Sequence, residues 1–173
     1  TQTRELVFFN SLKPGIHLVK VDSVTMKSLP NVRFEFKLVG GSYRQEFTTD
    51  INGEIDLSKL TPGAYEVREL EAPDGYLIDD AVRVVQVNPD ENANFVFTNT
   101  PKPALRLIKT SSDGTRLGGV HFRIARIEDG THYLDRITDQ DGEINIPKLE
   151  PGVYSIKETA TVADHILDLQ EYH

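Results

Sequence analysis

The chain has no cysteine, which excludes disulfides and thiolate zinc sites. It has no apolar run long enough to span a bilayer and no signal-peptide pattern, so it reads as a soluble fragment or an excised piece. Basic residues are in deficit: 19 Lys and Arg stand against 27 Asp and Glu, a formal net charge of −8. That balance argues against nucleic acid or an anionic membrane as partner. The acidic residues are scattered rather than blocked, as on a solvated surface. No Gly-rich phosphate loop or nucleophile elbow occurs, and the five histidines do not form a ligand motif. No metal and no cofactor is therefore expected. If such a chain is exported, it must stabilise itself without disulfides.

What is present is a repeat. Residues 48–70, TTDINGEIDLSKLTPGAYEVREL, match residues 136–159, RITDQDGEINIPKLEPGVYSIKET. Gly53 pairs with Gly142, Pro62 with Pro151, Tyr65 with Tyr154 and Glu69 with Glu158, each at an offset of 89. Lys20 and Lys109 share that offset, as do Asn10 and Asn99 within FFNSLKPG and FTNTPKPA. The expected organisation follows. Residues 1–10 are the last strand of an upstream repeat, 11–101 a complete repeat, and 102–173 a second repeat cut before its last strand. Alternation at period two predicts strands over 15–22, 32–39, 43–49, 53–57, 64–70, 81–87 and 93–99. Turn signals separate them, including Gly40-Gly41, Asn52-Gly53, Pro62-Gly63 and Asn88-Pro89. One short helical turn is expected near Leu57–Leu60. Short strands with regular turns predict an all-β fold of tandem β-sandwiches, joined by Thr100-Pro101-Lys102-Pro103, a stretch whose prolines limit bending.

Three polar residues fall in phase with core-facing apolar ones: Lys20 after Ile16 and Leu18, Glu69 after Tyr65 and Val67, Asn99 after Phe95 and Phe97. Alternate strand residues share a face, so each polar group is expected inside. The second copy repeats the pattern, with Lys109 after Leu105 and Leu107, and Glu158 after Tyr154 and Ile156. Asn10 follows Leu6 and Phe8 in the same way. Burying a lysine and a glutamate is costly unless they meet or react. Desolvation favours a neutral, nucleophilic amine and a neutral carboxylic acid. Glu69 could then polarise the Asn99 carboxamide and carry a proton to departing ammonia. Lys20 attacks, and an amide remains after a single turnover, so the chain is not an enzyme in the usual sense. Phe95, Phe97 and Phe34 would exclude water. The alternative is a buried Lys20–Glu69 ion pair hydrogen-bonded to Asn99 with no covalent bond.

The pattern resembles the collagen-adhesin B-type (CnaB, SpaA-like) repeats of Gram-positive surface proteins and pilins. The residues that carry it are Lys20-Val-Asp22, Leu29 and Val32-Arg-Phe34; Leu60-Thr-Pro62-Gly63-Ala-Tyr65-Glu-Val-Arg-Glu69; Ala72-Pro73-Asp74-Gly75-Tyr76; and Phe97-Thr-Asn99-Thr. The resemblance implies an immunoglobulin-like, prealbumin-like sandwich, an extracellular, cell-wall-anchored location and a Lys–Asn isopeptide bond with an acidic catalyst. Those roles fall on Lys20, Asn99 and Glu69, and by repetition on Lys109, Glu158 and Asn10. The second repeat departs from it: it reads Glu158-Thr-Ala160-Thr161 without the Pro-x-Gly-Tyr run, and it has Ser111 where the first has Asp22. Neither a sortase sorting signal nor a pilin-motif lysine sequence is seen, which favours the stalk of a long surface protein over a pilin subunit.

The leading functional expectation is a structural stalk module whose partners are neighbouring repeats. The second is an adhesin module for a host extracellular-matrix protein or glycan, with Tyr43, Tyr76 and Tyr133 as its outward aromatics. The third is an accessory domain of an extracellular enzyme. For the second repeat, either Lys109 and Glu158 stay uncrosslinked, or residues 1–10 of a neighbouring molecule supply the missing strand head to tail. Asp50-x-Asn52-Gly53-Glu54 and Asp139-x-Asp141-Gly142-Glu143 contain half a calcium loop, but the spacing favours plain turns.

Overall fold

In a computed structural model, residues 6–128 and 133–173 are described, the side chain of Tyr133 excepted. The chain divides into two compact units, Thr1–Pro101 and Lys102–His173. Every regular element among the described residues is a β-strand. No helix is long and apolar enough to cross a membrane.

The first unit contains β1 (Ile16–Asp22), β2 (Arg33–Leu38), β3 (Arg44–Thr48), β4 (Glu54–Leu57), β5 (Gly63–Glu71), β6 (Arg83–Val87) and β7 (Ala93–Asn99). These match the seven strands expected from alternation to within two residues at each end. They form a three-stranded sheet in the order β4-β1-β7 and a four-stranded sheet in the order β3-β2-β5-β6. Ile16, Leu18, Phe34, Phe36, Tyr65 and Val67 bury their side chains in one shared core. This is the cause of the strict alternation: each strand gives one face to the core and the other to water. The Tyr65 hydroxyl donates to the Thr61 carbonyl (2.9 Å), satisfying the one polar atom that such a burial carries in with the ring.

β1 and β7 lie side by side and run parallel, with Lys20 opposite Phe97 and Asp22 opposite Asn99. The first and last strands of the unit are thus neighbours. Two residues 79 apart in sequence (99 − 20) are brought within two register positions of each other, on the same face of the sheet. β5, which carries Glu69, belongs to the other sheet.

No helical turn forms at Leu57–Leu60. Lys59 adopts a left-handed backbone conformation (φ 59°), which a right-handed turn excludes. The Leu60 N–H is drawn to the Pro14 carbonyl (2.9 Å), so its side chain docks in the core at the turn into β5. The second unit repeats this bend: Lys148 has φ 65° and Leu149 N–H donates to Pro103 O (2.8 Å).

The second unit contains β8 (Leu105–Ile108), β9 (His121–Arg126), β10 (Tyr133–Ile137), β11 (Glu143–Ile146), β12 (Tyr154–Ala160) and β13 (Glu171–Tyr172). β8 pairs with β11, and the other sheet runs β10-β9-β12-β13. β13 meets β12 with Ile156 opposite Tyr172. That is the pairing of Val67 with Arg83 in the first unit, shifted by 89. Among the described residues no strand lies on the edge of β8 that corresponds to the β7 side of β1. Residues 6–10 form no strand and are exposed.

The half-calcium-loop segments are turns. Asp50 Oδ1 accepts the backbone N–H groups of Asn52 (2.9 Å) and Glu54 (2.8 Å), and Asp139 does the same for Asp141 and Glu143. The carboxylates serve the backbone. Gly53 has φ 76°, and a Cβ there would stand 2.7 Å from the Lys20 carbonyl oxygen. Only glycine allows this hairpin to press so closely on β1.

Candidate functional site

Lys20, Glu69 and Asn99 meet in the interior of the first unit. Their exposures are 0%, 4% and 1%. Lys20 Nζ lies 2.8 Å from Glu69 Oε2, as donor and as ion pair. Asn99 Nδ2 donates to Glu69 Oε1 at 2.7 Å. One carboxylate therefore spans both other groups, one oxygen to each. The Asn99 carbonyl oxygen, Oδ1, is buried without a hydrogen-bond partner. The Phe34 ring stands 5.6 Å from Lys20 Nζ and packs edge-on against Phe97 at 5.4 Å between centroids. Phe95 is only partly buried against the same core. Burial pushes the Lys20 amine below its ordinary pKa, against the opposing pull of Glu69.

The strands explain the convergence. Lys20 and Asn99 project from the β1–β7 pair, and Glu69 comes from the opposite sheet. A β-bulge adjoins the glutamate: Phe34 faces Glu69, but Arg33 faces Glu71. The second unit has the same irregularity, with Phe122 facing Glu158 and His121 facing Ala160. A bulge adds a residue and re-aims the strand, so in both units the strand changes course right after its buried glutamate. Period-two reading finds the glutamate and cannot find the bulge. The mechanism expected from sequence has Glu69 polarise the Asn99 carboxamide and carry a proton to departing ammonia. The observed contact is to the carboxamide nitrogen.

Asp22 and Tyr76 were not expected to belong to the site. Asp22 is buried, is the Cα partner of Asn99 and accepts from the Tyr76 hydroxyl at 2.8 Å. It also accepts from the N–H groups of Val24 (2.7 Å) and Thr25 (2.9 Å). Asn99 O accepts from Ser23 N–H (2.9 Å), and Thr100 O from Leu77 N–H (2.9 Å). The Ala-Pro-x-Gly-Tyr run thus clamps the ends of β1 and β7 together. The Thr25 N–H first, then the Tyr76 hydroxyl, hold the Asp22 carboxyl below its ordinary 3.8. A depressed folded-state pKa means stability that is complete above about 3.8 and lost as pH falls through the lower folded value. Asp22→Asn should therefore flatten the fall of stability with acid below pH 4 in urea titrations. An unchanged slope would show that the clamp is not the acid-sensitive contact.

In the second unit Lys109 Nζ and Glu158 Oε2 form an ion pair at 2.7 Å. Glu158 is 3% exposed and its Oε1 has no hydrogen-bond partner. The Lys109 side chain is 20% exposed, against 0% for Lys20. Asn10 is exposed and sits in no strand. Ser111, in the position of Asp22, donates to Asp113 (2.6 Å), so the clamp has no counterpart there.

His17, Glu54 and Asp56 bring ligand atoms within 4.8 Å of one another, and His17 Nδ1 lies 2.8 Å from Asp56 Oδ1. The pairing of β1 with β4 causes this, since His17 faces Asp56. Linear spacing does not reveal it. At the same places the second unit has Arg106, Glu143 and Asn145, with Arg106 paired to Glu143. Both are cross-strand polar pairs of the ordinary kind. Of the aromatics expected to face outward, Tyr43 packs on Tyr65 (5.6 Å) and Tyr76 is bound to Asp22. The Tyr133 side chain lies outside the described residues.

Comparison with known proteins agrees with this architecture. The model of the SpaA prealbumin-like fold domain matches residues 14–101 and again 103–173. Among solved structures, the Bacillus anthracis TIE protein is 25% identical with a TM-score of 0.53, over 94% of this chain and 31% of its own. The shaft pilin spaA of Lactobacillus rhamnosus GG is 14% identical with a TM-score of 0.53, covering 92% of each chain, a likeness of fold. Among curated relatives, the BOS complex subunit NOMO1 of Mus musculus is 25% identical over 95% of this chain, which spans only 15% of its length. With the model covering all but the first residues and the junction, the chain belongs to the SpaA prealbumin-like fold domain family.

Proposed function

We propose that this chain is a structural module of a Gram-positive cell-surface or pilus-like protein, and that its first unit locks itself with an amide between Lys20 and Asn99. The observation that carries the reading is the Glu69 carboxylate held between the two reactants in a buried site, 2.8 Å from the amine and 2.7 Å from the carboxamide nitrogen.

Charge makes the step intelligible. An ammonium and a carboxylate in a dry interior are each strongly disfavoured. Transfer of one proton from Lys20 Nζ to Glu69 Oε2 removes both charges and frees the amine lone pair. Nζ then attacks Asn99 Cγ, and the Cγ–Nδ2 bond breaks. The Nδ2 group leaves as ammonia, taking its third hydrogen from Nζ by way of Glu69, whose Oε1 already touches it. The product is a secondary amide beside a neutral carboxylic acid. No buried charge remains, so the reaction discharges the ion pair that folding created. The unpartnered Asn99 Oδ1 is where negative charge would gather during attack. Folding supplies the proximity.

Two copies of one fold in a single chain suit a load-bearing spacer, placed in series between an anchor and a distal head at the cell wall. The family match and the likeness to a shaft pilin support that setting. The adhesin alternative is weakened, because Tyr43 and Tyr76 are engaged inside the first unit. The test is intact mass. The folded chain should be lighter than its sequence by one ammonia, and Lys20→Ala or Asn99→Ala should restore the full mass. A full-mass, folded wild-type chain would leave only the buried ion pair.

A further inference from the structure

On the outer face of the β1–β4 pair the two units carry different charges at matched places. His17 faces Asp56 directly. Glu54 lies on the diagonal, two residues along β4, within reach of a long side chain. In the second unit the same places hold Arg106, Asn145 and Glu143, at the common offset of 89. There the diagonal is closed by opposite charge. Glu143 accepts from Arg106 Nε at 3.0 Å and has Arg116 Nη1 at 3.7 Å. One carboxylate thus meets two guanidiniums.

The first unit inverts this balance. Asp56 replaces Asn145, so two carboxylates share the face, and no fixed cation joins them. Among the described residues the Glu54 carboxylate makes no ion pair or hydrogen bond. Neither does the Lys27 ammonium, which stands in the place of Arg116. The place of Arg106 is taken by an imidazole, His17, whose Nδ1 lies 2.8 Å from Asp56 Oδ1. His17, Glu54 and Asp56 each bring a ligand atom within 4.8 Å of the other two. His17 and Glu54 are half-buried and Asp56 is exposed, so water and ions reach the cluster. Without an ion it is a cross-strand polar pair with a surplus carboxylate beside it.

We propose that His17, Glu54 and Asp56 bind one divalent cation of the zinc class. The donor set decides the class. One imidazole nitrogen with two carboxylate oxygens suits zinc, which takes three protein ligands and leaves a fourth position to water. Calcium and magnesium prefer shells of six or more oxygens. Ligand atoms around a tetrahedral ion with bonds of about 2.1 Å stand about 3.4 Å apart. His17 and Asp56 therefore open slightly, and Glu54 swings in from the diagonal. The Nδ1 lone pair goes to the ion, and the ring proton stays on Nε2. Two negative charges then meet two positive ones, as Glu143 meets its guanidiniums in the second unit. The ion ties β1 to β4, the short edge strand of its sheet. Binding to the folded form alone stabilises that form by mass action.

The experiment is calorimetric titration of the full chain, first stripped with a chelator, with zinc chloride and separately with calcium chloride. Uptake of one zinc per chain is expected, with calcium much weaker. His17→Ala should weaken zinc by more than the about 10–100-fold that follows loss of an outer partner at a metal site, and Glu54→Gln should weaken it too. His165→Ala, at an exposed histidine elsewhere, should leave the titration unchanged. Thermal melting supplies a second measurement. Zinc should raise the wild-type midpoint in proportion to the logarithm of its concentration above saturation. His17→Arg, which copies Arg106, should raise the zinc-free midpoint and abolish the response to zinc. No stoichiometric zinc uptake by the wild-type chain would overturn the proposal. So would unchanged zinc affinity in His17→Ala, or calcium binding as tight as zinc, since either would remove the imidazole from the site.

Discussion

Replacing Glu69 with glutamine is expected to leave the first unit without its crosslink and to destabilise it more than Asn99→Ala does. Glutamine fits the space: its oxygen can still accept from Lys20, but its NH2 group replaces the oxygen that accepted from Asn99 Nδ2 and requires that carboxamide to turn over. What it cannot do is accept the Lys20 proton. The amine then faces two poor choices: to remain an ammonium buried at 0% exposure with no counter-charge, or to lose its proton to water on folding. Stranding one member of a buried pair costs about 3–5 kcal/mol. Loss of the amide adds to that, although the two effects share residues and do not simply sum. Intact mass should read the full, uncrosslinked value, and denaturant titration should show a lower midpoint than Asn99→Ala, which keeps the ion pair. Complete ammonia loss in Glu69→Gln would remove Glu69 from the chemistry. A midpoint equal to that of Asn99→Ala would mean that the lysine finds another partner.

The site was half legible in the sequence, and the division has a physical cause. Lys20, Glu69 and Asn99 stood out because period-two alternation is enforced by burial, and each sits on the inward phase of its strand. The 89-residue repeat then showed the same residue types in the same phase twice. Asp22 shares that inward phase, two residues after Lys20 at the end of β1, but its partnership with Tyr76 left no such trace. Their contact joins residues 54 apart (76 − 22) through a loop, and loops have no period to read. The bulge after Glu69 depends on the pairing of β2 with β5, which one strand's sequence does not contain. The short helical turn expected near Leu57–Leu60 failed for a related reason. Its apolar spacing allows a helix, but Leu60 is claimed by the core and its N–H by Pro14, so tertiary contacts overrode a weak local preference.

Asn99→Ala is expected to change how the first unit responds to force, more than how it folds. The substitution removes the acceptor and leaves Lys20 and Glu69 paired. In the proposed wild type, tension from the N-terminal side enters β1 and reaches Lys20 within its first five residues. From there it crosses the amide to Asn99, the last residue of β7. The 79 residue steps between them (99 − 20) are then bypassed and cannot be stretched. At about 3.4 Å per extended residue, roughly 270 Å of contour length is withheld. Single-molecule stretching should therefore show the Asn99→Ala unit releasing about 270 Å more than wild type. Equal extensions would mean that no bond carries the load. Closing a loop of this length also restricts the unfolded chain, by roughly 4.5 kcal/mol on the entropy model used for disulfides. For a unit of this size each kcal/mol moves the melting midpoint by about 4–8 °C, so Asn99→Ala should melt roughly 20–35 °C lower. The mechanical effect is the sharper of the two readings, because it depends on connectivity alone. A noncovalent site, however stable, must eventually let the chain extend in full.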